Sequence, residues 1–211
     1  TIALPQVETG QGIWTGLAQV AADELGAAWE KVAVAPALPS DLHANKLAEA
    51  EGWLDELGAW REWRLDERRL RITAGSTSIR AFHEPMRQLG AAARTLLMAE
   101  AAERWGVAAD ECDTADHAVL HEGKRLPFGE IVHAAGRRVL PEQVALRPRP
   151  GKLAGQPLPR LDALPKANGS LRFAGDVRLP GMLFASLRTG GGARVDGEAP
   201  RGVQWLQGEG W

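Results

Sequence analysis

The sequence has almost no cysteine, since Cys112 is the only one among 211 residues. A single cysteine excludes an internal disulfide, and it excludes the paired-cysteine motifs that hold structural zinc or an iron–sulfur cluster. Tyrosine is absent while eight tryptophans are present, a balance that points to packing rather than to one chemistry. Because the chain has one cysteine, any electron transfer must use a redox centre that is bound outside this chain.

The chain also lacks a strong net charge and a long apolar run. Its formal net charge of −2 at pH 7 gives no overall attraction to nucleic acid or to an anionic membrane. No apolar run approaches the ~18 residues needed to cross a bilayer, so no transmembrane segment is predicted. With 45% hydrophobic and 25% charged residues, the composition is typical of a globular protein with a substantial core.

Two short segments share one arrangement, in which a small-residue turn follows a short apolar run and precedes an amphipathic segment. Such a turn at a helix N-terminus directs backbone N–H groups and the positive end of the helix dipole at one spot, which suits phosphates. Two such turns in one domain predict a ligand with more than one phosphate or oxo group. The candidate cofactor-binding residues are Gly10, Gln11, Gly12, Gly75, Ser76, Thr77 and Ser78.

Each turn also has a simpler interpretation. A glycine turn can connect a strand to a helix without any ligand, and serine and threonine hydroxyls cap helices without one. The second turn is not a Walker loop, because no Gly-Lys-Ser/Thr follows it. The first is not a dinucleotide motif, because Gly10, Gly12 and Gly16 have the wrong spacing.

Apolar spacing predicts the helices, and short apolar runs bounded by glycine or proline predict the strands. Pro85 is expected to mark a kink or the first turn of its helix. Tryptophan and leucine side chains share one face of the second predicted helix, either as a partner surface or as a helix docked on its own domain. The predicted strands are 2–4, 32–34, 70–72, 171–174 and 182–187, with a hairpin over 118–126 and helices over 12–25, 40–68, 79–105 and 131–135.

No catalytic or metal-binding residue is predicted. His117 and His121 fall in a predicted strand, too far apart to chelate a metal well, and the chain has no HExxH or GxSxG motif. Between Arg137 and Arg194 there are eleven Lys or Arg against three Asp or Glu. This basic segment indicates a nucleic-acid groove, a solvated surface or a docking face for an acidic subunit, and its few aromatic residues argue against the groove.

Several segments resemble one known family. Residues 9–19 (TGQGIWTGLAQ), with ADELG at 22–26, are similar to a segment of the large subunits of molybdenum hydroxylases, the xanthine dehydrogenase and aldehyde oxidase family. Residues 75–80 resemble the second cofactor-contacting turn of that family. The order of the blocks is most similar to the branch that contains the isoquinoline 1-oxidoreductase beta subunit. Residues 157–162, 165–169 and 173–183 resemble the start of its hammerhead domain.

The resemblance implies an α+β fold in which strand–turn–helix units form part of a molybdopterin-binding domain, followed by the start of a hammerhead-type α/β domain. The expected division is a molybdopterin-binding segment over 1–147, a linker over 148–158 and a truncated hammerhead domain over 159–211. The chain would then be the N-terminal portion of a large subunit. Its compartment stays open between periplasm and cytoplasm, and the resemblance favours the periplasm.

The resemblance also implies a function. The complete subunit would carry molybdenum on a molybdopterin cytosine dinucleotide and would hydroxylate an aldehyde or N-heterocycle with water as the oxygen source. Gly10 and Gln11 would lie beside the pterin and the metal, and Gly75 to Ser78 would hold the phosphates. The partners would be the remainder of the large subunit, an iron–sulfur small subunit or a cytochrome, and a small-molecule substrate, with no nucleic acid.

The chain departs from the family in two respects, and one is the absence of the family's FGG-type loop. The glutamate that acts as base near the C-terminus of such large subunits has no matching block here, and Glu209 lies too soon after the hammerhead-like blocks to be its equivalent. The chain alone is therefore expected to be inactive. Two alternatives are a non-catalytic, stand-alone domain of the same fold and a basic module that binds nucleic acid through 137–194.

Overall fold

A computed structural model describes residues 1–38, 40, 43–51, 72–148, 151–186 and 201–204. Helices and strands are mixed along the chain, which confirms the α+β class at that level. The chain divides into two compact units, Thr1–Asn168 and Gly169–Trp211. The first unit thus extends through the segment predicted to be a linker, while the division into a cofactor-binding and a hammerhead-type domain stays a prediction.

The first unit begins with a strand–helix–strand motif. Strand β1 (Ile2–Leu4) leads into helix α1 (Ile13–Leu25), and strand β2 (Val34–Pro36) returns parallel to β1. Helix α1 ends where predicted, because Gly26 adopts a left-handed φ of 76° and donates its N–H to the last carbonyls of the helix. Strand β2 is shifted by two residues from the predicted 32–34. Its Pro36 is tolerated because both strands of a two-stranded sheet are edge strands.

Helix α3 (Thr77–Trp105) is the longest element and packs along α1, after a short helix α2 (Lys46–Ala50). Pro85 lies inside α3, well past its first turn. The two helices approach most closely at Gly90, where an added Cβ would lie 2.5 Å from the Ala21 carbonyl oxygen. Leu4, Ile13, Leu17, Ala21, Phe82 and Met86 form the core between these elements.

A three-stranded antiparallel sheet follows α3. Its strands are β3 (Asp113–Ala115), β4 (Ala118–His121) and β5 (Lys124–Pro127), and helix α4 (Phe128–Ala135) packs against α3. The β4–β5 pair is the predicted hairpin. A second core lies among these elements and is formed by Leu97, Ala101, Ala102, Cys112, Val119, Phe128, Ile131 and Ala135. Burial there raises the pKa of the Cys112 thiol.

Polar side chains of α1 bind the main chain of residues 151–161. Thr15 Oγ1 accepts the Leu161 N–H at 3.0 Å, and the Gln19 amide donates to the carbonyls of 153 and 156. The Asp23 carboxylate accepts the N–H groups of Gly151 and Leu153, both at 2.7 Å. These three side chains recur every fourth residue and so lie on one face of the helix. Helix α5 (Ala163–Ala167) completes this unit.

The second unit has no strand within its described residues, so the strands predicted at 171–174 and 182–187 are wrong as far as those residues extend. Asp176 explains the first error, because its carboxylate accepts the Phe173 N–H at 2.9 Å and closes a 3₁₀ turn over Ala174–Asp176. At 182–186 the apolar side chains remain exposed, and Leu183 is 90% accessible. Strands need a pairing partner, and the described residues of this unit provide none.

Three other predictions fall outside the described residues. The face with Trp53, Trp60 and neighbouring leucines lies in 52–71, as do positions 70 and 71 of the predicted strand at 70–72. Glu209 lies in 205–211. Ile72 itself is described and is not in a strand. Within the described part of the predicted 40–68 helix, residues 40 and 43–51, helix α2 covers Lys46–Ala50.

Candidate functional site

The two glycine turns lie on opposite walls of one cleft of about 440 Å³. The first turn enters α1 and the second enters α3, so the packing of these two helices brings the turns together across more than sixty residues of sequence. Both polar and apolar residues line it. The lining residues are Thr9, Gln11, Gly12, Ile13, Gly16, Thr73, Ala74, Gly75, Ser76, Ser78 and Ile79.

Gln6 links the two turns, a role that the sequence patterns did not reveal. Its side chain is buried, and its Oε1 accepts hydrogen bonds from Thr73 Oγ1 at 3.1 Å and from Ser78 Oγ at 3.0 Å. The Val7 N–H donates to Thr73 Oγ1 at 3.2 Å. A buried amide satisfied in this way fixes the distance between the segments that carry the turns.

The second turn adopts a left-handed backbone at two successive residues, with φ of 61° at Gly75 and 54° at Ser76. Thr77 is fully buried, and its hydroxyl donates to the Ala74 carbonyl at 2.7 Å while accepting from Asn45 Nδ2 at 2.7 Å. The hydroxyls of Thr77 and Ser78 thus make hydrogen bonds within the protein. Ser76 is exposed on the cleft wall.

The second turn retains unused backbone donors. Within the described ranges, the N–H groups of Gly75, Ser76 and Ser78 have no hydrogen-bond acceptor. These groups lie at the N-terminus of the 29-residue helix α3, where the helix dipole adds a positive partial charge. The second turn can therefore accept an anion from the cleft.

The first turn differs, because a side chain of the protein already binds three of its donors. Glu8 Oε1 accepts the N–H groups of Gly10 at 2.8 Å and Gly12 at 3.0 Å, and Oε2 accepts the Trp14 N–H at 3.2 Å. The prediction that this turn presents free N–H groups is therefore wrong for these three, whereas those of Gln11 and Ile13 have no acceptor within the described ranges. The carboxylate of Glu8 is the anion at the N-terminus of α1.

Glu8 is held as a carboxylate by its surroundings. Burial raises its pKa, but the backbone N–H groups of Gly12, Trp14 and Gly10 outweigh that effect, so the net pKa is lowered. Arg160 Nη2 lies 3.2 Å from Glu8 Oε1, and Lys166 Nζ lies 3.8 Å from the same oxygen. Asp162 shares both cations, and the Arg160 guanidinium and Lys166 hold the pKa of Asp162 far below its usual range.

The Gln11 amide is bound within its own turn. Its Oε1 accepts the Thr9 N–H at 2.6 Å and the Thr9 hydroxyl at 2.9 Å, and its Nε2 donates to the Val7 carbonyl at 2.8 Å. Gly10 has a φ of 111° and Gly12 a φ of 81°, and an added Cβ at Gly10 would meet no atom within 4 Å. The first turn thus presents glycine backbone and a neutral amide to the cleft.

Several described basic residues of 137–194 pair with carboxylates. Arg138 contacts Glu100 at 2.8 Å, and also Glu103. Arg147 donates to Asp113 at 2.9 Å, and its backbone N–H donates to Glu24. Lys152, Arg160 and Lys166 also form ion pairs, so much of the described positive charge is already compensated, which weakens the nucleic-acid alternative.

The two neighbouring histidines are not on one strand. His121 lies in β4, whereas His117 lies in the β3–β4 turn with a φ of 66°, so the prediction that both are in a strand is wrong. Among the described residues, no three His, Cys, Asp or Glu side chains are arranged to hold a metal ion. Nor does any helix of the described ranges combine the length and apolar character that a bilayer crossing requires.

No family model matches the sequence, but three characterised proteins are similar to it. The chain is 32% identical to the beta subunit of isoquinoline 1-oxidoreductase from Brevundimonas diminuta, an alignment that covers 96% of this chain and 28% of that protein. It is 30% identical to the membrane-bound aldehyde dehydrogenase (pyrroloquinoline-quinone) of Gluconacetobacter polyoxogenes, over 87% of this chain and 22% of the relative. A subunit of nicotinate dehydrogenase from Pseudomonas putida is 28% identical, over 84% of this chain and 13% of the relative.

These relatives confirm the resemblance read from the sequence, and the chain is a relative of molybdenum hydroxylase large subunits. Within that class, the match to the protein from Brevundimonas diminuta confirms the similarity to the branch that contains the isoquinoline 1-oxidoreductase beta subunit. The chain spans only 28% or less of the length of each relative. Two of the three relatives are named as one subunit of an enzyme with more than one.

Proposed function

We propose that the chain forms part of the molybdenum-cofactor-binding subunit of an oxidoreductase that hydroxylates aldehydes or N-heterocycles with water as the oxygen source. The observation that carries the proposal is that both turns line the same cleft. The names of the relatives support the reaction class, since all three are oxidoreductases or dehydrogenases of an N-heterocycle, an aldehyde or nicotinate.

The residues of the cleft fit an elongated ligand with one anionic end. Its volume of about 440 Å³ lies in the range of small-molecule sites. The second turn provides unused N–H groups at a helix N-terminus, which suit a pyrophosphate. The first turn provides glycines that allow close approach and the neutral Gln11 amide, whose Nε2 has a second N–H besides the one bound to Val7.

We therefore assign the two turns different roles toward molybdopterin cytosine dinucleotide. The backbone of Gly75, Ser76 and Ser78 would bind the phosphates, with the Ser76 hydroxyl beside them. Gln11 would lie at the metal end, between Gly10 and Gly12. When bound, the cofactor supplies the oxidation–reduction chemistry, whereas this chain holds and orients it. No residue of this chain is assigned as the catalytic base.

The proposal includes partners. The remainder of a large subunit would complete the cofactor site and the substrate pocket. Electrons would leave through an iron–sulfur small subunit or a cytochrome, because Cys112 is the one cysteine here and iron–sulfur clusters need several. The substrate would be a small molecule.

Cofactor content of a charge-changing variant tests the proposal. Ser76→Asp would place a carboxylate on the phosphate-binding turn, whereas Ser76→Asn adds a neutral side chain of similar size, and both residues tolerate the left-handed backbone at this position. Each variant is purified in its assembled complex, and molybdenum and released cytidine monophosphate are measured. We expect Ser76→Asp to lose most of both and Ser76→Asn to keep most of both.

Three results would contradict the proposal. Absence of molybdenum and of cytidine monophosphate from the assembled wild-type complex would favour a non-catalytic domain of the same fold. Pyrroloquinoline quinone in place of molybdenum would favour the cofactor in the name of the Gluconacetobacter relative. Equal cofactor content in Ser76→Asp and Ser76→Asn would place the phosphates elsewhere.

A further inference from the structure

We propose that Glu8 determines the orientation in which a ligand enters the cleft, because its carboxylate blocks the first turn to anions and leaves the second turn as the anion-binding end. This inference rests on the proposed function, since it concerns the same cleft. It adds a specificity role for a residue that does not line the cleft itself.

The contrast between the two turns is the first argument. Both turns enter a helix, and both place glycine at a left-handed φ just before it. At the first turn, the Glu8 carboxylate accepts three backbone N–H groups within 3.2 Å. At the second turn, the corresponding donors have no acceptor among the described residues. The helix dipole of α1 is therefore already compensated, and that of α3 is not.

The fixed position of Glu8 is the second argument. Its side chain is only 4% exposed and lies between the helix terminus and the cations of Arg160 and Lys166. The Arg160 guanidinium also donates to the Gly10 carbonyl at 3.0 Å and to both oxygens of Asp162. The two cations and the carboxylates of Glu8 and Asp162 therefore neutralise one another, and the first turn offers an arriving anion no net positive charge.

The cleft is consequently asymmetric, with an anion-accepting wall at the second turn and a wall of glycine backbone and neutral amide at the first. A ligand with one phosphate end and one uncharged polar end can satisfy both walls in one orientation only. In the reverse orientation, its phosphates would meet a turn whose Gly10, Gly12 and Trp14 N–H groups are already bound to Glu8. Its neutral end would leave the donors of Ser76 and Ser78 unpaired. Such unpaired groups discriminate strongly between binding modes.

Inorganic pyrophosphate tests this inference without the cofactor. The full 211-residue chain is labelled with ¹⁵N-glycine and ¹⁵N-serine, so that the amides of the two turns report separately by NMR. Wild type is compared with Glu8→Gln, which removes the charge but keeps an acceptor oxygen, and with Glu8→Ala, which removes both. Glu130→Gln, an exposed change on α4, serves as the matched control.

In wild type and in Glu130→Gln, we expect pyrophosphate to shift the amides of Gly75, Ser76 and Ser78 and to leave those of Gly10 and Gly12 in place. In Glu8→Ala, the amides of Gly10 and Gly12 should shift as well, with a second binding event. Glu8→Gln should bind pyrophosphate at the first turn more weakly than Glu8→Ala. Because Glu8→Gln retains the acceptor, it gives a result even if Glu8→Ala does not fold.

The outcomes separate the two proposals. Equal shifts at both turns in wild type would overturn the role of Glu8 and leave the proposed function intact. Absence of any shift at Gly10 and Gly12 in both Glu8 variants, with the second turn still responding, would do the same. No shift at the second turn in any variant would contradict the proposed function, and the inference with it.

Discussion

Arg160 Nη2 lies 3.2 Å from Glu8 Oε1, although 152 positions of the sequence separate the two residues. The same guanidinium donates to the Gly10 carbonyl and pairs with Asp162. The shape of the first turn therefore depends on α1, which follows it directly, and on a segment near the end of the first unit. This dependence gives the first prediction.

Arg160→Lys should loosen the first turn. Lysine keeps the charge but lacks the planar set of donors that reaches Glu8, Gly10 and Asp162 together. We expect hydrogen exchange at the amides of Gly10 and Gly12 to become several-fold faster, as measured by mass spectrometry on peptides covering 8–14. The matched control is Arg125→Lys, on an exposed strand, and similar exchange in both variants would contradict the prediction.

Arg94→Met should strongly destabilise the first unit. The Arg94 side chain is 9% exposed and contacts Glu24, which is 4% exposed, at 3.0 Å. Arg87 would still contact Glu24 Oε2 at 3.2 Å, but Oε1 and two backbone carbonyls would lose the buried guanidinium that donates to them. Loss of such buried, charged hydrogen bonds costs about 3 kcal/mol. Urea unfolding measures the change. Arg104→Met on the solvent side of the same helix should change stability little, and equal losses in both variants would contradict the argument.

Gly90→Ala should destabilise the contact between α1 and α3. An added Cβ would lie 2.5 Å from the Ala21 carbonyl oxygen and 2.8 Å from Glu24 Cβ, distances that force the helices apart. We expect a loss of about 1–3 kcal/mol in the free energy of unfolding. Gly129→Ala in α4 is the control, because its Cβ would meet no atom within 4 Å, and it should gain about 0.5–1 kcal/mol. A Gly90→Ala variant as stable as wild type would show that the helices can separate without cost.

His117 should make stability depend on pH near neutrality. Burial lowers the pKa of His117, Lys31 and the chain's N-terminal ammonium lower it further, and the buried Nδ1 atom has no hydrogen-bond partner. The unfolded chain therefore binds a proton more readily than the folded one. The stability that neutral His117 contributes is present above about pH 6.5 and is lost as the pH falls toward its lowered folded pKa.

Thermal unfolding between pH 7.5 and pH 5 measures this effect. His117→Asn, which suits the positive φ at this position, should flatten the pH dependence of the unfolding midpoint. His133→Asn on the exposed side of α4 should leave that dependence unchanged. An identical pH profile for wild type and His117→Asn would exclude His117 as its source.

Local signals in the sequence identify the regular elements well. Helix α1 follows from the apolar spacing of Ile13, Leu17 and Ala21 and from Gly26 after its end. The β4–β5 hairpin follows from the apolar run at 118–120 and from Gly123 in the turn after it. Strand β3 was not predicted, because Asp113–Ala115 has little strand propensity and forms through pairing with β4. The reverse holds at 171–174, where apolar residues without a pairing partner form no strand.

The candidate site is only partly predictable. The two turns are visible in the sequence, but the occupation of the first by Glu8 depends on the backbone geometry of Gly10 to Trp14 and on cations near position 160. The link through Gln6 depends on where Thr73 and Ser78 lie in space. The contact between α1 and residues 151–161 does have a signal in the sequence. Thr15, Gln19 and Asp23 recur at helical spacing on a largely apolar helix, which indicates a buried polar contact.

That polar face of α1 has an evolutionary consequence. Thr15, Gln19 and Asp23 bind carbonyl and N–H groups of residues 151–161 rather than their side chains. Because every residue other than proline offers the same backbone groups, these contacts specify the path of the segment more than its composition. Gly151 is the exception, since an added Cβ would lie 2.6 Å from Asp23 Oδ1. We expect family members to exchange residues 152–154 while the chain still delivers Arg160 and Lys166 to the first turn.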